Sequence, residues 1–106
     1  MWVFLKDSFL SIVAHRDDPN CLLVRARKRG DIRRVFPDAA EIHTPSADYC
    51  YRAKVPRAEV AAAVQAAALS IDYDNFKAVV PDRARHDAYF ACWSTMLGWG
   101  RKAGQD

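Results

Sequence analysis

Apolar and polar positions alternate through the first quarter of the chain. Trp2-Val3-Phe4-Leu5 is short and β-prone, and the polar turn Lys6-Asp7-Ser8 closes it. Residues 9–15 follow as a second strand, after which Asp17-Asp18-Pro19-Asn20 places four turn formers in a row. Residues 21–27 alternate again, with Leu22, Val24 and Ala26 on one face and Leu23, Arg25 and Arg27 on the other. Short turns between three strands predict an antiparallel meander.

Gly30-Asp31 opens a short helix over residues 32–36, with Asp31 as its N-cap and Pro37 as its stop. Residues 41–44 read as a short strand. Over residues 48–55, Tyr49, Tyr51, Ala53 and Val55 share one face, and Cys50, Arg52 and Lys54 share the other. Pro56 suits a first helical turn, and Val60, Val64, Ala67 and Ile71 then make one helical stripe to pack on the sheet. Asp82 caps a last helix running to about Leu97, with Tyr89, Phe90, Trp93, Met96 and Leu97 buried and Gly98 or Gly100 ending it. The order βββ-α-ββ-α-α predicts an α+β fold, an antiparallel sheet of about five strands with helices on one face. A single domain over residues 1–100 and a frayed tail over 101–106 are expected.

Composition narrows the class. With 106 residues, 51% apolar and 27% charged, the chain has the balance of a soluble globule with one core, too short for a two-domain enzyme. Cys21, Cys50 and Cys92 are odd in number and lack CxxC spacing, which argues against a disulfide framework or a zinc knuckle and for a reducing, cytoplasmic setting. The uncharged stretches 60–71 and 88–100 fall short of a membrane span, so no membrane partner is expected.

Charge is uneven. The formal net charge is +3, yet residues 25–34 hold six of the sixteen cations (Arg25, Arg27, Lys28, Arg29, Arg33 and Arg34) against one acid, a local charge of +5. If both alternations hold, Arg52 and Lys54 join Arg25 and Arg27 on the sheet face away from the helices. Such a row suits phosphates or an acidic protein surface; the plainer alternative is a solvated face that blunts a sheet edge. Aromatic residues do not interleave with these cations, and Asp31 stands after Gly30 where an RNA-recognition sheet would carry an aromatic.

Other motifs fail on inspection. His15-Arg16-Asp17 spells the start of a kinase catalytic loop, but Leu22 occupies the metal-binding Asn position, so a hairpin turn bonded by Asp17 and Asp18 is expected. Asp72-Tyr73-Asp74-Asn75-Phe76 begins like a calcium loop, then offers Lys77 for the required Gly and Arg83 for the bidentate Glu. Pro37-Asp38 with Glu41-Ile42-His43 lacks the spacing and the Lys of a restriction-type nuclease. His86 is placed for a hydrogen bond to Asp82 or Tyr89 on its helix. No catalytic residue, metal or cofactor is assigned.

The chain resembles a family of short bacterial and phage-borne proteins. The likeness rests on residues 9–13, His15-Arg16-Asp17-Asp18-Pro19, Leu23-Val24-Arg25-Ala26-Arg27, Asp48-Tyr49, Ile71-Asp72-Tyr73 with Asn75-Phe76-Lys77, and Trp93. It implies no activity. By size and style the chain is also similar to phage-encoded inhibitors of bacterial defence, anti-CRISPR proteins among them. The expectation is a non-enzymatic binding module that docks its basic patch on an acidic protein or nucleoprotein surface, an inhibitor in its sharpest form. Sequence-tolerant nucleic-acid binding is the alternative, and a small enzyme sited around His15, Asp17 and Asp18 ranks last.

Overall fold

Five antiparallel strands form the sheet: β1 (Trp2–Leu5), β2 (Ser8–Ala14), β3 (Cys21–Ala26), β4 (Ile42–His43) and β5 (Tyr51–Pro56), in the spatial order β1-β2-β3-β5-β4. The structure is a computed structural model and describes residues 1–104. The helices are α1 (Asp31–Val35), α2 (Arg57–Leu69) and α3 (Arg83–Ala103), with a 3-10 turn at Phe76–Val79. The α+β class is as expected. The chain divides into two compact units, Met1–Asp72 and Tyr73–Asp106.

In the first unit, one sheet face is apolar. Leu10 and Ile12 of β2, Val24 and Ala26 of β3, and Tyr51, Ala53 and Val55 of β5 are buried together with Ile32, Phe36 and Val60 from the helical side. Register makes this possible: Ile12 stands opposite Val24, and Val24 opposite Ala53, so the two-residue period brings every apolar position to one side. The α2 stripe is only partly buried. Val60 is in the core and Ala63 packs against it, whereas Val64 and Ile71 are exposed and Ile71 lies past the helix end.

α1 departs from its expected cap. Gly30, in the left-handed region at φ +93°, occupies the N-cap position, and Asp31 is the first helical residue. The Asp31 side chain is 2% exposed, and its carboxylate bonds elsewhere. Its Oδ2 accepts the Phe9 backbone N–H at 3.0 Å, and its Oδ1 accepts Arg34 Nη1 at 2.8 Å. Arg34 Nη1 also donates to the Asp7 carbonyl at 3.0 Å, so one ion pair staples a five-residue helix to the β1–β2 hairpin.

In the second unit, Asp82 caps α3 as expected, its Oδ2 accepting the Arg85 N–H at 2.9 Å. Tyr73 meets Phe76 at a tilt, 5.6 Å between ring centroids, and Phe76 stacks on the buried Tyr89 at 5.7 Å. Two expectations fail here. Phe90, Trp93 and Met96 are exposed rather than buried. The helix also runs through Gly98 and Gly100 to Ala103, because neither glycine adopts the positive φ that ends a helix. Of the tail expected to fray, residues 101–103 are helical, and residues 105 and 106 lie outside the described residues.

Candidate binding face

Strand register collects the cations. Arg25 stands opposite Arg52, and Leu23 opposite Lys54, so all three basic residues lie on the sheet face away from α1 and α2, as the alternation predicts. Arg27 follows just past the end of β3 and is exposed. Lys28, Arg29, Arg33 and Arg34 continue through the turn and α1.

Two arginines directly opposite one another repel. Tyr49 relieves that repulsion. The Arg25 guanidinium lies 4.6 Å from its ring centroid and the Arg27 guanidinium 4.4 Å, within the range where the ring quadrupole attracts a cation. Arg52 Nε donates to the Tyr49 carbonyl at 3.1 Å, and Arg25 Nη2 donates to Ser11 Oγ at 2.7 Å. The ring is only 6% exposed although it lies outside the apolar core cluster. This corrects the expectation that Tyr49 faces the helices as Tyr51 does. Tyr49 precedes β5 in the irregular segment 44–50, where the two-residue period does not operate. Arg29 has a similar seat, 5.4 Å from the ring of Tyr51, which stacks on His43 at 4.6 Å.

The eight cations therefore fall into three groups. Arg34 and Lys54 have carboxylate partners, Asp31 at 2.8 Å and Asp18 at 3.1 Å. The Asn20 backbone N–H, followed by the Lys54 ammonium, holds the Asp18 carboxyl below its ordinary range, and the hydrogen bond that Lys54 donates to Asp18 raises Lys54 in return. Arg25 and Arg52 are half-buried around Tyr49. Arg27, Lys28, Arg29 and Arg33 are exposed and have no ion-pair partner among the described residues.

Aromatic residues share this face, contrary to expectation. Trp2 stands opposite Ser11 and Phe4 opposite Phe9, while Ser11 stands opposite Arg25. One row thus crosses the sheet through Trp2, Ser11, Arg25 and Arg52. Trp2 is 67% exposed and meets Phe9 edge-on at 6.3 Å; Phe9 in turn lies 4.7 Å from Phe4. The alternation of β1 already put Trp2 and Phe4 on one side, but only the register of three strands shows it to be the side of Arg25.

The lowest-ranked site is occupied by turn bonds. His15 Nδ1 accepts the Asp17 N–H at 3.2 Å, and Asp18 Oδ1 accepts the Asn20 N–H at 3.0 Å. Asp18 acts as expected, whereas His15 takes the role expected of Asp17. The His86 ring Nδ1 lies 3.3 Å from Asp87 Oδ1, and it is the His86 backbone N–H that donates to the Asp82 carbonyl, at 2.8 Å. The cysteines are unpaired, and burial pushes the Cys21 thiol up, away from the reactive thiolate. Among the described residues no group of three His, Cys, Asp or Glu side chains could hold a metal, and no helix is long and apolar enough to cross a membrane.

No family model, curated protein or solved structure matches this chain. Its functional reading therefore rests on the site's own geometry.

Proposed function

We propose that the chain is a non-enzymatic, cytoplasmic binding module that docks on an anionic macromolecular surface through Arg27, Lys28, Arg29 and Arg33. One observation carries this: among the described residues these four cations stay exposed and unpaired while Arg34 and Lys54 nearby are neutralised by carboxylates. Arg27 and Arg29 rest on tyrosine rings, so less side-chain freedom is lost when they engage a partner. The narrower case, an inhibitor that occludes a nucleoprotein defence complex, needs the same four cations.

Reversing Arg27, Arg29 and Arg33 together to Glu takes the 25–34 segment from +5 to −1 and, among the described residues, removes no ion pair or backbone hydrogen bond. Circular dichroism should remain unchanged, and affinity for polyanion probes (heparin, polyglutamate, an oligonucleotide) should fall at least a hundredfold at about 0.15 M salt. Lys54→Gln, which removes a cation already held by Asp18, should change affinity by less than about twofold. Equal losses in both variants would mean that overall charge is read rather than the four unpaired cations.

A further inference from the structure

We infer that the anionic partner is single-stranded nucleic acid, laid across the outer sheet face with its phosphates on the arginines and unpaired bases on Trp2 and Phe9. The inference rests on the patch binding an anion at all, and it adds which anion.

Four features of the face converge on this ligand. Trp2 is mostly exposed at 67%, and no cation covers its ring among the described residues. Phe9 holds it edge-on from the neighbouring strand and is itself backed by Phe4 at 4.7 Å, so the platform is built before any ligand arrives. Strands lie about 4.8 Å apart, which puts the backbone of Trp2 on the order of 10 Å from that of Arg25, two strands away in the same row, with Arg52 one strand further. That is the scale of one nucleotide from phosphate to base edge. Finally, Ser11, between Trp2 and Arg25, is buried and accepts Arg25 Nη2 at 2.7 Å, which draws that guanidinium along the row toward the rings.

A duplex leaves the ring platform unused, because its bases already stack on one another. An acidic protein would use the arginines but has no need of an exposed ring platform in the same row. Tyr49 and Tyr51 do not serve as stacking surfaces: both are buried beneath arginines. The division of labour is thus cations at the end of β3 and in the turn that follows it, and rings on β1 and β2. Such a site tolerates any sequence, since every base has a π-face.

The test uses the whole chain with a fluorescein-labelled twelve-nucleotide oligo-dT, the matching duplex, heparin and polyglutamate as probes. Trp2→Ala should weaken oligo-dT binding about tenfold or more and leave heparin binding within twofold, and Trp2→Phe should restore most of the loss. In a Trp93→Phe/Trp99→Phe background, oligo-dT should quench the remaining Trp2 fluorescence. If Trp2→Ala fails to fold, the quench and a Trp2→Phe affinity measurement still decide the matter. Duplex bound as tightly as oligo-dT, with no effect of Trp2 and no quench, would overturn the stacking inference while leaving the cation patch intact. Binding of polyglutamate in preference to oligo-dT, abolished by the triple reversal, would likewise overturn it in favour of an acidic protein. Failure to bind any polyanion would remove both the inference and the patch reading beneath it.

Discussion

Asp31→Ala should lower stability by about 3 kcal/mol, a fall in Tm on the order of 10–20 °C for a chain of this size. The carboxylate is fully enclosed and accepts both the Phe9 backbone N–H and Arg34 Nη1. Alanine leaves that N–H without its acceptor and detaches a helix too short to persist alone. Asp31→Asn keeps one carbonyl acceptor and should cost about half as much. Arg34→Gln should cost only about 1 kcal/mol, because the Arg34 side chain is 44% exposed and water replaces its bonds. Thermal melts of the three variants check the order. An Asp31→Ala loss below about 0.5 kcal/mol would mean that α1 is held by Ile32 and Phe36 alone. The same variant shifts Arg33, which α1 carries, so it should also weaken polyanion binding.

Tyr49→Ala should damage stability and binding together. The ring is enclosed by Arg25 and Arg27, and the Tyr49 carbonyl holds Arg52. Removing the ring costs roughly 2–3 kcal/mol, combining lost burial with two partly desolvated cation–π contacts, and leaves Arg25 facing Arg52 across the strands. Arg27 regains its rotamer freedom, which must then be lost again on binding, so affinity should fall about tenfold. Tyr49→Phe keeps the ring and should resemble the native chain in both respects. Tyr49→Leu keeps apolar volume without a π-face; it should fold, with a loss of about 1–2 kcal/mol, and still bind several-fold more weakly. If Tyr49→Leu binds as the native chain does, the ring supports the fold and does not position the arginines.

Legibility in the sequence followed regularity. The meander, the second helix and the opposed faces of Val24 and Arg25 were readable because period-2 alternation depends only on which residues are apolar. Tyr49 was misread because the alternation was extended backwards from β5 into the segment that returns from β4, where the chain turns and side-chain direction no longer alternates. The role of Asp31 was also hidden, since an acid after glycine reads as a local cap, while its partners Phe9 and Arg34 are set by tertiary folding. The spacing of Phe90, Trp93 and Met96 gave one helix face but could not show that this face is exposed. At the binding face, the cation cluster was visible by counting. Its division into paired and unpaired members was not, because Asp18 reaches Lys54 across 36 residues of chain.

The most direct test of the unpaired-cation patch is the salt dependence of binding to the tightest of the polyanion probes, measured between about 50 and 200 mM salt. Neutralising Arg27, Lys28, Arg29 or Arg33 singly to Gln should each shallow the slope of log K against log salt by about 0.7, one released counterion per phosphate contact on a single strand, and Lys54→Gln should leave the slope unchanged. A slope that does not respond to any of the four, or that responds equally to Lys54, would contradict the assignment of binding to these residues.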